Sequence, residues 1–151
     1  MSKKKLSIAD FGKMMHEIIR VYKKKADIQN YEGIKISPEQ FGLLHAISIQ
    51  SEEVIQKDLA ETMGKDKSAI LRLIDSLEEK GVVRRVADLK DRRKNYLMIT
   101  KLGNKVLEHN MKIFDDIMME LQQDLTIEEI ELFDKVVHHI KSNAEKLNSL
   151  I

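Results

Sequence analysis

Apolar positions along this chain repeat at helical spacing over most of its length. From Ser7 onward, Ile8, Phe11, Met14 or Met15, Ile18 or Ile19, and Tyr22 form one stripe, the three- and four-residue spacing of an amphipathic helix. The stripe fades near Lys23-Lys24-Lys25, where basic residues suit a helix C-terminus. Residues 27–36 read as a connection containing Gly33. Ser37-Pro38-Glu39-Gln40 then combines an N-cap serine, a proline at the first helical position and a glutamine at the third, a capping-box start. This predicts a helix through Phe41, Leu43, Leu44, Ala46 and Ile47 to about Gln50. Residues 52–55 read as a turn or a very short strand, and 57–63 as a short helix with Leu59, Ala60 and Met63 facing inward and Gly64 ending it.

A turn of a few residues separates that helix from the next, which opens at Asp66 and stops at Gly81. Ile70, Leu73, Ile74 and Leu77 form its apolar stripe. Residues 82–87 and 96–100 are short β-branched and apolar runs around a charged tip, so they predict a hairpin. Thr100 caps a further helix bearing Val106, Leu107, Ile113, Phe114, Ile117 and Leu121. Thr126-Ile127-Glu128-Glu129 is a second capping box. It opens a last helix whose Ile130, Phe133, Val137, Ile140, Ala144 and Leu147 recur at 3, 4, 3, 4, 3, a seam that wants a partner helix. The expected fold is mainly α with a small β wing. Residues 37–100 form a winged helix-turn-helix, and residues 1–36 and 101–151 form a terminal helical dimerisation region. The terminal helices hold more apolar faces than one small module can cover, so a homodimer related by a twofold axis is the economical solution.

Composition narrows the chemistry. The 151 residues fit one domain, or a small one with an extension, and 42% apolar with 34% charged residues suits a soluble helical protein. There is no cysteine, which excludes disulfides, thiolate metal sites and cysteine redox sensing. No apolar run approaches the roughly 18 residues of a membrane span, and Met1-Ser-Lys-Lys-Lys-Leu lacks the apolar core of a signal peptide. The expected location is the cytoplasm, with no membrane partner.

The net charge is only +1, but its distribution is uneven. Residues 1–64 carry 10 Lys/Arg against 9 Asp/Glu, residues 65–100 carry 10 against 6, and residues 101–151 carry 6 against 10. The basic surplus sits on one helix start and one hairpin tip, at Lys65, Lys67, Arg72, Lys90, Arg92, Arg93 and Lys94. A helix sized for a major groove beside a basic finger sized for a minor groove implies a reader of double-stranded DNA.

Residues from about Ser37 to Gly103 resemble the MarR family of winged helix-turn-helix repressors. The resemblance is carried chiefly by Asp88 and Asp91, the paired Arg92 and Arg93, the alternating strand after them, and Thr100 and Gly103 opening a helix. Leu59-Ala60-Glu61 and Leu77-Glu78-Glu79-Lys80-Gly81 also fit the family's pattern. The resemblance implies that Arg93 enters the minor groove, which favours an inserted arginine where it is narrow, and that Asp91 holds that arginine within the wing. Lys67, Ser68 and Arg72 would meet base edges or phosphates, with Arg72 able to take guanine bidentately. Gln56 and Lys57, at a helix start, would be phosphate contacts. A pseudo-palindromic operator and a small aromatic or apolar effector complete the implied picture, with Met15, Phe41, His45 and Met111 as candidate pocket residues.

Rival readings are weaker. No Gly-rich phosphate loop, His-Glu-x-x-His, Gly-x-Ser-x-Gly or cysteine nucleophile is present, so no enzyme and no cofactor is expected. A winged helix used as a protein–protein scaffold would not need cations at both the helix start and the wing. Arg84 and Arg85 read as solvent-facing strand residues, and Leu71 as either a thymine-methyl contact or a helix edge. His138 and His139 are adjacent, so their side chains diverge by roughly 100° on a helix. No His-x₃-His pair exists, His45 and His109 could approach, and no metal site is expected.

Overall fold

The computed structural model describes residues 7–50, 54–87 and 95–151. The elements run α1 (Ile8–Ile28), α2 (Pro38–Ser48), β1 (Val54–Ile55), α3 (Gln56–Met63), α4 (Lys67–Glu79), β2 (Val83–Ala87), β3 (Asn95–Ile99), α5 (Lys101–Leu121) and α6 (Ile127–Asn148). The fold is mainly α with a small β-sheet, as the pattern of apolar residues predicts. The chain divides into two compact units, Met1–Asp115 and Asp116–Ile151.

In the first unit, local signals set the helix limits. Ser37 accepts from the Gln40 amide at 3.1 Å while Gln40 Oε1 accepts from the Ser37 amide at 2.9 Å, closing the expected capping box. Helix α1 runs to Ile28, past the lysines where its stripe fades, because lysine is a good helix former and Lys25 lies favourably in the last turn. The following connection is more ordered than a plain linker. Tyr31 and Ile34 form an isolated antiparallel bridge across Glu32 and Gly33, both at positive φ, with the Ile34 amide donating to the Tyr31 carbonyl at 2.8 Å.

The core gathers residues from the central elements: Leu43, Leu44 and Ile47 from α2, Leu59 from α3, Ile70, Ile74 and Leu77 from α4, Val83 and Leu97 from the sheet, and Val106 and Leu107 from α5. Leu73, expected on the α4 stripe, is only partly buried at the rim of this cluster. The sheet order is β1-β3-β2, all antiparallel, so the short run at 54–55 becomes an edge strand against Leu97 and Tyr96. Strand β2 pairs with β3 from Val83↔Ile99 to Ala87↔Asn95, the register of a hairpin whose connecting residues are 88–94.

In the second unit, Thr126 accepts from the Glu129 amide and Glu129 Oε2 accepts from the Thr126 amide at 2.9 Å, the second capping box. The Glu128 carboxyl is held below its ordinary range by a main-chain hydrogen bond and by Thr126. No residue of α6 is buried. Its seam is therefore on the surface, with Phe133 50% and Ile140 44% exposed.

A candidate nucleic-acid interface

Helices α3 and α4 are joined by Gly64, Lys65 and Asp66. Gly64 sits at φ +59, its amide bonded to the Glu61 carbonyl and the Lys65 amide to the Ala60 carbonyl, so two of the end carbonyls of α3 are satisfied in a tight left-handed stop. Asp66 starts α4 at once, its carboxylate accepting from the Ala69 amide at 2.8 Å. The end of α4 repeats the device: Gly81 at φ +71 bonds to the Glu78 carbonyl and buried Val82 to the Leu77 carbonyl. Two glycine stops thus fix α4 between α3 on one side and β2 on the other.

With Ile70, Ile74 and Leu77 fully buried, α4 turns its other face outward. Lys67, Ser68 and Arg72 are exposed there, and Leu71 is half-buried. This is the geometry of a recognition helix, an anchored apolar side behind a polar and cationic side near its N-terminus. Lys65 stands just before it, but its ammonium is paired with Glu39 at the start of α2 at 2.8 Å. The expected wing residues Lys90, Asp91, Arg92, Arg93 and Lys94 lie outside the described residues, as do the side chains of Gln56 and Lys57 at the start of α3.

One expectation is corrected here. Arg84 is exposed, but Arg85 is not a solvent-facing strand residue. Its guanidinium reaches back to α4, one end on Glu78 and the other on Asp75, and its main-chain amide donates to Glu78 Oε1 at 3.0 Å. Burial opposes the charge on Arg85, but the hydrogen bonds and negative charges of Asp75 and Glu78 outweigh it and raise the pKa. The sequence signal was present in two carboxylates three residues apart on one side of a helix. Their partner could not be read without knowing how β2 lies on α4.

The four residues expected to line an effector pocket separate into pairs. Phe41 and His45 are half-buried neighbours on α2, ring centroids 6.3 Å apart. Phe41 also stacks on Tyr22 of α1 at 5.2 Å and lies 6.4 Å from Phe114 of α5. Met15 and Met111 are exposed on α1 and α5. The aromatic group is thus Tyr22, Phe41 and Phe114, of which the pocket expectation contained only Phe41. His45 and His109 stand in different settings: His109 Nε2 meets the Gln29 carbonyl and its ring packs by Tyr31. Among the described residues, no three His, Asp or Glu side chains are grouped to hold a metal ion.

An anchored recognition helix, a tight preceding turn and an antiparallel hairpin define a winged helix-turn-helix. Residues 34–94 match the MarR family. A curated relative, the transcriptional regulator HosA of Escherichia coli, is 26% identical over 126 residues, covering 83% of this chain and 93% of HosA. Among solved structures, a crystal structure of MarR superposes with a TM-score of 0.82 at 21% identity, covering 100% of this chain and 99% of that one. The S. aureus MepR–DNA complex gives 0.76 at 23% identity, covering 92% and 99%, and apo MarR from E. coli gives 0.73 at 20%, covering 91% and 98%. At these identities the structural matches establish the shared fold.

Proposed function

We propose that this chain is a homodimeric, sequence-specific DNA-binding transcriptional regulator, acting as a repressor that a small aromatic or apolar effector relieves. The observation that carries the reading is the exposed Lys67–Ser68–Arg72 face of α4, presented by a helix whose other side is locked into the core. In this reading α4 enters a major groove, with Lys65, Lys67, Ser68 and Arg72 on bases and phosphates and Gln56 and Lys57 on the flanking backbone. Residues 88–95 reach the adjacent minor groove, led by Arg93 with Asp91 supporting it and Lys90, Arg92 and Lys94 neutralising phosphates. The HosA match and the DNA-bound MepR fold support the assignment.

Residues 1–36 and 101–151 supply the dimer contacts, and residues 37–100 supply the DNA-reading module. Exposed apolar residues on α1, among them Phe11, Met15 and Ile19, and the α6 seam support this division. A twofold dimer reads half-sites about one helical turn apart, roughly 34 Å centre to centre. The effector acts by binding one spacing of the recognition helices better than another. The aromatic side chains of Tyr22, Phe41 and Phe114, with His45 beside them, support an aromatic or apolar effector class.

The test is selection of bound duplexes from a random pool by purified protein at moderate salt. Enrichment of an inverted repeat is the expected outcome. Retention without a shared sequence would indicate an architectural binder. No retention even at low salt would overturn the reading in favour of a protein–protein scaffold.

A further inference from the structure

We propose that Arg85 is a positioning residue for DNA reading, clamping the root of the wing to the recognition helix through Asp75 and Glu78. The inference rests on the DNA-binding reading above and adds a residue that lies off the contact surface. Strand β2 leaves α4 through Gly81 and Val82, a turn with one left-handed residue. Val82 and Val83 are buried and anchor the strand's first step. Beyond Val83 no residue of the strand is fully buried: Arg84 is exposed, Arg85 and Val86 are half-buried, and Ala87 is exposed. Arg85 thus adds a side-chain clamp where the burial of β2 has become partial.

The clamp has a geometry that a single ion pair lacks. Asp75 and Glu78 are three residues apart on α4 and so project on the same side. The planar guanidinium spans both, and Glu78 uses its second oxygen on the Arg85 main-chain amide. That amide belongs to an edge strand, since among the described residues β2 has β3 on one side and no strand on the other. Glu78 thus supplies the acceptor that a neighbouring strand would have provided. Isolated surface ion pairs contribute little to stability. This network instead fixes an angle between two elements that must enter adjacent grooves together. Lysine at 85 would reach only one carboxylate.

The test uses a sign that separates geometry from charge. Asp75→Ala with Glu78→Ala removes two carboxylates and moves the net charge from +1 to +3, which by itself strengthens attraction to DNA. The clamp predicts the opposite. The expected result is about a tenfold or greater loss of affinity for the selected operator duplex, with loss of protection in the flanking minor groove. Arg85→Met should match it. Alanine suits an exposed helix, so the carboxylate variant keeps its fold even where Arg85→Met does not, and circular dichroism verifies this. Unchanged or tighter binding by the folded carboxylate variant would overturn the proposal. Failure of the unaltered protein to select any duplex would instead remove the DNA reading on which it rests.

Discussion

The Tyr22 hydroxyl on α1 donates to Asn110 Oδ1 on α5 at 2.8 Å, joining two buried side chains 88 positions apart in the chain. Asn110 in turn donates from Nδ2 to the Val106 carbonyl at 2.8 Å. The Tyr22 ring stacks on Phe41 of α2 and meets Phe114 edge-on. One tyrosine therefore ties α1 to both α2 and α5, using its ring for packing and its hydroxyl for register.

Tyr22→Phe should keep the ring contacts and strand Asn110 Oδ1 in the interior, costing about 1–3 kcal/mol. Urea unfolding at fixed protein concentration measures this. The loss should depend on pH with a definite sign. Burial raises the Tyr22 phenol above its ordinary value of 10.0, so its contribution is complete below pH 10.0. Above that the unfolded chain ionises first, and the contribution is lost as pH rises towards the folded value. Removing the phenol should therefore flatten the alkaline decline. Parallel curves for the two proteins above pH 10.0 would contradict this account.

Gly103 should not tolerate alanine, although alanine is the better helix former by about 1 kcal/mol. A Cβ there would lie 2.0 Å from the Val82 carbonyl oxygen and 2.7 Å from Ile99 Cγ2. Both the Val82 backbone and the start of α5 are fixed by Thr100, which donates to the Gly81 carbonyl at 2.7 Å and accepts from the Gly103 amide at 2.9 Å. The clash must move main chain, so Gly103→Ala should destabilise by roughly 3 kcal/mol, read from the shift in urea midpoint. Gly12, with nothing within 4 Å of its Cβ position, is the matched control and should gain stability as alanine.

The contrast between these residues explains what was legible in the sequence. Caps are local chemistry, so Ser37 with Gln40, Thr126 with Glu129 and the stop at Gly81 could be placed from spacing alone. The buried stripe of α4, apart from Leu73 at its rim, and the presence of a hairpin followed from local spacing, whereas the strand register did not. Tyr22–Asn110 and Arg85–Asp75–Glu78 could not be read, because each needs the placement of elements that sequence periodicity leaves free. The same limit scattered the pocket expectation. Phe41 joins an aromatic group whose other members, Tyr22 and Phe114, had read simply as core positions. The charged run at 88–95 could be read as a wing tip from its basic surplus and its family resemblance, and residues 88–94 of it lie outside the described residues.

Arg72→Ala should weaken operator binding by about 1–3 kcal/mol and relax preference at one base pair per half-site, because a bidentate guanidinium distinguishes guanine from its alternatives. Arg72 is exposed on α4, so thermal stability should be unchanged. Competition among duplexes altered at single positions resolves this. A uniform loss across all sequences would make Arg72 a phosphate contact instead.

Arg93→Ala should weaken binding and lower the slope of log affinity against log salt by about 0.9, as one phosphate-neutralising cation is lost. The proposed dimer should remain intact by sedimentation. A monomer would contradict the division of labour between wing and terminal helices.

Phe133→Glu should dissociate the proposed dimer. Phe133 and Ile140 lie one heptad apart on α6, where no residue is buried, so in a lone chain this seam meets water along its length. Large exposed apolar faces mark association surfaces, and a glutamate at the centre of one would bring a charge into the interface without a partner. Within the single chain the same substitution replaces an exposed ring by an exposed carboxylate on a good helix former, so α6 should stay helical. The expected result is therefore a folded monomer by sedimentation with native helical content by circular dichroism. Operator affinity should fall steeply while a single half-site is still bound weakly, since each α4 remains intact but the two are no longer linked. Ser142→Glu, off the seam, should leave the dimer unchanged. If Phe133→Glu also sedimented as a dimer, the α6 seam would not be the contact, and the exposed residues of α1 would have to carry the association instead.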